Sequence, residues 1–190
     1  MPMLESFASH DELNEVAKNR VSKACDLLDA GVPLFPNTFR KKHLIAWIHE
    51  TYGEKDETAL ESCEPVEGVT GRIVALRSFG KAAFLTIRDQ SGHVQCHVSK
   101  DVLGEETYKI VKKLDVGDIV GVSGKLFRTK TDELTIACAT LMLITRSMRS
   151  LPEKYHGLKD METRYRQRYV DLIVTPRTRE IFEKRSLIVR

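Results

Sequence analysis

The hydrophobic pattern changes period at Pro65, and this change constrains the fold of the 190-residue chain more than any other feature. Before Pro65 apolar residues recur at helical spacing, and after it they alternate with polar residues as in strands. The predicted strands are Val66–Arg77, Ala82–Arg88, His93–Ser99, Ile119–Phe127 and Glu133–Thr145, and Leu103–Leu114 between the third and fourth suits a helix. The chain is therefore predicted to be α+β.

Three strands, a helix and two further strands are the order of an OB-fold, a five-stranded Greek-key barrel that often binds oligonucleotides. A β-barrel without a nucleic acid ligand fits the same order, because one fold hosts many functions. The pattern predicts a helical lead-in over residues 1–64, the barrel domain over 65–146 and a further segment over 147–190.

Two helices are predicted in the lead-in. Apolar residues of Asp11–Ala30 follow helical spacing, and Gly31 ends that helix. A second helix fits Phe39–Tyr52, with Gly53 at its end. The charged residues of Glu54–Glu64 predict a surface linker without regular structure.

Composition excludes several classes of protein. No run of about 18 apolar residues is present that would span a bilayer, so no membrane association and a cytoplasmic location are expected. The cysteines are widely spaced without a CxxC pair, which predicts reduced, buried thiols rather than disulfides or a zinc site. They are Cys25, Cys63, Cys96 and Cys138. The net charge of +3 is small, and by itself it is weak evidence for a polyanionic partner.

One aromatic side chain lies on an otherwise polar strand face. Successive side chains of a strand point to opposite faces, so Phe84 points away from the apolar set of its strand and Gln95 away from that of the next. A flat ring beside an amide that donates and accepts hydrogen bonds suits an unstacked base. An exposed aromatic residue without a ligand is the alternative. Because Cys96 points away from His93 and His97, these three residues predict no metal site.

Longer motifs extend this interpretation. Within the barrel, Gly71–Arg77, Gly80–Phe84, Arg88–Asp89 and Gly92–Gln95 resemble the anticodon-binding domain of class II aminoacyl-tRNA synthetases of the lysine, aspartate and asparagine group. The segments that resemble the lysine branch are Leu114–Gly121, Gly124–Leu134, Leu151–Leu158 and Glu162–Ile173. Phe35–Phe39 also has a counterpart in bacterial-type members. The chain is thus similar to the anticodon-binding region of lysyl-tRNA synthetases.

The resemblance implies roles for individual residues. It implies that Arg77, Phe84 and Gln95 hold the central uridine of the lysine anticodon, and that Glu133, before the last strand, also approaches the anticodon. Basic residues near the strand ends are candidates for phosphate contacts, and solvated surface charges are the alternative. These residues are Lys81, Arg88, Lys125, Arg128 and Lys130.

The last segment resembles the linker and the beginning of a class II catalytic domain. Its basic run Arg164–Tyr169 suggests nucleic acid contacts, whereas the resemblance implies packing at the interface of a homodimer. Arg179–Arg190 resembles the opening helix of the first class II motif, and the sequence lacks the second and third motifs. The 190-residue chain is therefore expected to need no cofactor and to be inactive alone.

These features are compatible with more than one class of function. A full-length parent would be a ligase that joins lysine to its tRNA using ATP and Mg²⁺, to which this region contributes binding of lysine tRNA. The alternatives are a free-standing OB-fold protein that binds single strands, and the equivalent domain of an aspartyl- or asparaginyl-tRNA synthetase.

Overall fold

Five strands form a closed barrel in the computed structural model, which describes residues 15–152, 158 and 160–190. They are β1 (Val66–Phe79), β2 (Ala82–Arg88), β3 (His93–Ser99), β4 (Ile119–Arg128) and β5 (Leu134–Thr145). Neighbouring strands follow the order β1–β2–β3–β5–β4, and β1 closes the barrel on β4. The β3–β5 pair is parallel and the other pairs are antiparallel. The predicted OB-fold is confirmed.

Strict alternation builds the barrel core. The inward-facing residues of β2 are fully buried, and those of β3 are at most 1% exposed to solvent. These residues are Ala83, Leu85, Ile87, Val94, Cys96 and Val98. Each large aliphatic side chain buried in this way contributes roughly 1.5–3 kcal/mol. The buried set therefore fixes which side chains of β2 and β3 point outward.

A helix, α4 (Lys100–Lys113), joins β3 to β4 as predicted, although it begins before Leu103. Ser99 caps it by accepting a hydrogen bond from the backbone N–H of Val102 at 3.4 Å, and Gly104 interrupts the helical backbone at φ +78°. Tyr108 is buried, and its hydroxyl donates to the carbonyl of Gly80 at 3.0 Å. This contact ties α4 to the β1–β2 turn.

The helix predicted over Phe39–Tyr52 is shorter, because α2 spans Ile45–Tyr52. Residues 39–44 run instead along β1, where the backbone N–H of Lys42 donates to Gly68 at 2.9 Å. The helix begins where Asp89 accepts a hydrogen bond from the N–H of Ile45 at 3.1 Å. An aspartate distant in sequence thus sets the start of this helix.

The segment Glu54–Glu64, predicted to be an unstructured linker, contains the short helix α3 (Glu57–Glu61). Asp56 caps it by accepting a hydrogen bond from the N–H of Ala59 at 2.8 Å, and Leu60 is buried in the core. The few apolar residues of this segment, Ala59, Leu60 and Cys63, lie among charged and polar ones, and their spacing gave too little periodicity to predict a helix.

The first helix, α1 (Glu15–Asp29), begins within the predicted span, and the earlier predicted residues lie outside the described ones. Val16 is 53% exposed although the apolar pattern includes it, whereas Arg20 is buried. Arg20 donates hydrogen bonds to the carbonyls of Val116 at 2.8 Å and Ser147 at 2.9 Å. Hydrogen bonding to the barrel therefore helps to orient α1.

Two of the four thiols are less buried than predicted. All four cysteines are free, and Cys96 and Cys138 lie in the barrel core, but Cys25 and Cys63 are half-buried. The neighbouring thiol of Cys138, together with burial, raises the pKa of Cys96. Among the described residues, no helix combines the length and apolar character that crossing a membrane requires.

The chain divides into two compact units, residues 1–149 and 150–190. The second contains α5 (Met161–Arg166), α6 (Arg168–Val174) and α7 (Pro176–Val189). Asp171 is buried there and accepts hydrogen bonds from Arg164 at 3.1 Å and Arg168 at 2.5 Å. Two arginines of the basic run are thus engaged within this unit, which favours its structural interpretation.

Candidate nucleic-acid interface

The four residues singled out for the anticodon line one groove on the outside of the barrel. Arg77, Phe84, Gln95 and Glu133 border an open space of about 400 Å³. Its other lining residues are Ala75, Phe79, Thr86, Thr129 and Thr131. The strand register explains the grouping, because Arg77 pairs with Phe84, and Thr86, next but one along β2, pairs with Gln95. Their roles in binding remain predictions.

Phe84 is half-buried within a row of rings. Its ring centroid lies 4.9 Å from that of His97 and 6.3 Å from that of Phe79, with interplanar angles of 48° and 77°. Phe127 continues the row at 6.1 Å from His97. These neighbours restrict the orientation of the Phe84 ring while part of it faces the groove. The site therefore offers an aromatic surface on which a base can stack.

The sequence pattern did not predict Phe79 as a residue of the groove. It is 62% exposed and belongs to the groove because β1 runs two residues beyond the predicted end at Arg77. Residues two apart on a strand share a face, so a longer β1 would have predicted Phe79 beside Arg77. The aromatic residue before the Gly80 turn was the available signal.

Gln95 and Glu133 form a hydrogen-bonded pair at the edge of the groove. Gln95 donates from Nε2 to Glu133 Oε2 at 2.5 Å, and its Oε1 accepts from the hydroxyl of Thr135 at 3.2 Å. Thr135 is fully buried and pairs with Gln95 in the parallel β3–β5 register. The amide of Gln95 is thereby held on both sides.

The β4–β5 turn positions Glu133. The N–H of Thr129 donates to the carbonyl of Glu133 at 3.1 Å, and the N–H of Glu133 donates to Thr129 Oγ1 at 3.1 Å. Asp132 adopts a left-handed conformation at φ +61°, which aspartate tolerates better than most residues. The turn therefore holds a carboxylate at the groove without placing it in a strand.

The basic candidates fall into two groups. Lys81, Lys125 and Lys130 are exposed and remain candidates for phosphate contacts, whereas Arg88 is half-buried at the opposite end of β2 from the Lys81 turn. Arg128 donates to the carbonyl of Lys55 at 2.9 Å and to Asp132 Oδ1 at 3.0 Å, and its side chain is 18% exposed. Its guanidinium is thus engaged in holding the lead-in against the β4–β5 turn.

Cys96 lies inside the barrel, whereas His93 and His97 lie outside, as alternation predicts. Across the described ranges, no three His, Cys, Asp or Glu side chains come together in a group that could hold a metal ion. The groove itself presents an aromatic ring, a guanidinium, an amide and a carboxylate. These groups are suited to stacking on and hydrogen bonding to a nucleobase.

Comparison with known proteins agrees with this geometry. Residues 69–144 match the tRNA anticodon family model, an OB-fold nucleic acid binding domain. The chain is 46% identical over 179 residues to the lysine–tRNA ligase of Yersinia enterocolitica, which covers 94% of the chain and 35% of the ligase. It is 44% identical to the ligases of Methylobacillus flagellatus (97% of the chain, 36% of the ligase) and Laribacter hongkongensis (98% and 37%). The chain spans about a third of the length of these relatives.

Proposed function

We propose that this chain, whose residues 69–144 match the OB-fold nucleic acid binding domain of the tRNA anticodon family, binds the anticodon of lysine tRNA. The relatives that match almost the whole chain are lysine–tRNA ligases, which supports lysine tRNA as the partner. The observation that carries the proposal is the grouping of Arg77, Phe84, Gln95 and Glu133 around one groove.

In the proposed complex the middle uridine stacks on Phe84. Stacking of a base on an aromatic side chain contributes roughly 1–3 kcal/mol and does not depend on which base is present. The ring of Phe84 is supported by His97 and Phe79, so little conformational entropy is lost when the base arrives. Stacking therefore supplies affinity, and identity has to be read by polar groups.

The polar groups of the groove match the edge of uracil. Uracil carries an N–H donor at N3 between two carbonyl acceptors. Glu133 accepts from that N–H, while Gln95 and Arg77 donate to the two carbonyls. Cytosine has an acceptor at N3, which would face the Glu133 carboxylate without a proton between them. Each mismatch of this kind costs roughly 1–3 kcal/mol, because buried polar groups lose their partners.

The test is a titration of the purified chain with a fluorescent anticodon stem-loop of lysine tRNA, followed by anisotropy. A second stem-loop differs only in carrying cytidine in place of the middle uridine. We expect the uridine RNA to bind roughly tenfold more tightly or better. Equal affinity for both stem-loops and for an unstructured RNA of the same length would instead identify a single-strand-binding OB-fold protein without sequence preference.

We further propose that the chain serves as the tRNA-binding region of a homodimeric, cytoplasmic ligase that joins lysine to its tRNA using ATP and magnesium. Similarity to about a third of several such ligases supports this. Apolar side chains exposed on α7 also favour contact with further protein. In this proposal the chain contributes tRNA binding and no step of the ligation chemistry. The chain alone should therefore catalyse no lysine-dependent ATP–pyrophosphate exchange. Measurable exchange would contradict that assignment.

A chimera tests the ligase context. The matching third of the Yersinia enterocolitica ligase is replaced by this chain, and charging of lysine tRNA is measured. We expect charging that Phe84→Ala in the grafted region reduces, with the loss in KM for tRNA because the groove contributes binding rather than chemistry. Charging that is insensitive to Phe84→Ala would contradict the proposed role of the groove.

A further inference from the structure

We infer that Thr135 is a positioning residue, which holds the Gln95 amide in one orientation and so determines which pyrimidine the groove accepts. The inference rests on the proposed function, because it concerns the same base. Thr135 does not line the groove, and it acts through Gln95 rather than by touching RNA.

The parallel pairing of β3 with β5 brings the two residues together. Gln95 is the register partner of Thr135, and the threonine hydroxyl oxygen lies 3.2 Å from Gln95 Oε1. The same hydroxyl lies 3.1 Å from the backbone carbonyl of Glu133. Thr135 is fully buried, so water does not compete for its single proton. Both possible acceptors therefore belong to the residues that form the polar edge of the groove.

The chemistry of the neighbours fixes the direction of the amide. An ionised carboxylate only accepts hydrogen bonds, so the side of Gln95 that faces Glu133 has to be its NH₂ group. The amide oxygen then faces Thr135, which has a proton to donate. A turned amide would place its oxygen against the Glu133 carboxylate, and the Thr135 proton would then point to the carbonyl of Glu133 instead of Gln95. Glu133 therefore sets the orientation, and the hydrogen bond from Thr135 to Gln95 Oε1 stabilises it.

This orientation bears on base identity. One Nε2 hydrogen is used by Glu133, and the second remains for a carbonyl of uracil. Without the Thr135 hydroxyl, Gln95 Oε1 loses its donor and Glu133 alone holds the amide, so the amide turns more often and then offers its oxygen to the base. An amide oxygen accepts from the exocyclic amine of cytosine and repels a uracil carbonyl. Removal of one buried hydroxyl should therefore relax discrimination without removing any group that touches RNA.

The experiment compares Thr135→Val, which keeps the shape and loses the hydroxyl, with Thr135→Ser, which keeps the hydroxyl. Each variant is titrated with the uridine and cytidine stem-loops. The readout is the Kd for the cytidine stem-loop divided by the Kd for the uridine stem-loop. We expect Thr135→Val to lower this ratio roughly three- to tenfold, as the loss of one hydrogen bond implies, and Thr135→Ser to retain it. Phe84→Ala should weaken both RNAs and leave the ratio nearly unchanged.

The outcomes separate the two ideas. If wild type discriminates and Thr135→Val keeps the full ratio, the positioning role is overturned while the proposed function stands. If wild type binds both stem-loops equally, the proposed function is overturned. The side-chain amide signals of Gln95 in the free chain, observed by NMR, give a readout that needs neither RNA nor a variant that folds. Exchange of these hydrogens with solvent is expected to be slower in wild type than at the exposed Gln90, and exchange as fast as at Gln90 would overturn the inference.

Discussion

Gln95 donates a hydrogen bond from its side-chain nitrogen to Glu133 Oε2 at 2.5 Å, across 38 positions of sequence. The contact joins the middle of β3 to the turn before β5, so two strands that are parallel neighbours share one polar edge. Because this edge is already assembled in the free protein, a base does not have to organise it. Preorganisation of this kind lowers the cost of binding.

The first prediction concerns stacking. Phe84→Ala should weaken binding of the lysine anticodon stem-loop by roughly 1–3 kcal/mol, the range for losing one stacked base. Anisotropy titration of the purified variant measures the change. Phe84→Tyr retains an aromatic face and should bind within about threefold of wild type.

Phe127→Ala is the matched control for Phe84→Ala. Phe127 belongs to the same row of rings, 6.1 Å from His97, but it does not line the groove. Its removal should leave RNA affinity nearly unchanged. Equal losses from Phe84→Ala and Phe127→Ala would show that the row acts through barrel stability rather than through a stacked base.

The second prediction separates identity from affinity. Gln95→Ala and Arg77→Ala should reduce the preference for uridine over cytidine more than they reduce overall affinity, because hydrogen bonds to a base edge read identity. Titrations against the two stem-loops at two salt concentrations measure both quantities. If Gln95→Ala weakened both RNAs equally and also reduced the salt dependence, Gln95 would be a backbone contact instead.

The third prediction is that the exposed lysines near the strand ends contribute overall affinity for RNA and not base preference. Lys81→Ala and Lys130→Ala should weaken both stem-loops to the same extent and reduce the dependence of Kd on salt, because phosphate contacts release counterions. Lys18→Ala, on α1 and paired with Glu15, serves as a charge-matched control. A change in base preference without a change in salt dependence would contradict a phosphate role for either lysine.

Strict alternation made β2 and β3 predictable to the residue. Every second side chain is apolar there, and hence the outward direction of Phe84 and Gln95 followed from sequence. The helix start at Ile45 could not be predicted, because its cap, Asp89, comes from another part of the chain. Local pattern determines local structure only where distant partners do not intervene.

The residues of the candidate site could be predicted from the sequence, but their contacts with one another could not. The family resemblance grouped four residues that the structure brings into one groove, although their contacts depend on strand register. Nothing in the sequence marked Thr135 as part of the site, since threonine is common in strands, where it usually serves only to pack. Arg20 and Arg146 are charged residues whose burial depends on carboxylates and carbonyls that the fold brings to them. Sequence periodicity assigns such residues to the surface.

The fourth prediction concerns pH and Asp89. Burial raises the pKa of this carboxyl, but hydrogen bonds from Lys41, Ser91 and the backbone of Ile45 outweigh burial and lower the pKa to about 2. The stability that ionised Asp89 contributes is therefore complete above its ordinary pKa of 3.8 and is lost as the pH falls through about 2. Asp89→Asn should cost roughly 2 kcal/mol at neutral pH, with a difference from wild type that shrinks in acid.

Urea unfolding of wild type and Asp89→Asn at several pH values measures this difference. Asp101→Asn is the control, because Asp101 is exposed on α4. A difference that stayed constant down to about pH 2 would mean that the carboxylate charge is not what anchors α2.

The fifth prediction concerns Arg146, whose side chain is fully buried at the end of β5. It donates to Asp118 Oδ2 at 2.6 Å, to Asp115 Oδ2 at 2.5 Å and to the carbonyl of Lys113 at 3.0 Å. Arg146→Met should lower the free energy of unfolding by roughly 3–5 kcal/mol, because the buried Asp118 carboxylate loses its charged partner. Arg146→Lys should rescue little of this loss, since one ammonium group cannot replace the planar guanidinium that reaches both carboxylates.

Urea unfolding measures the stability of each variant, with Arg149→Met, at an exposed position, as the control. A loss below about 1 kcal/mol for Arg146→Met would show that the carboxylates are stabilised without it.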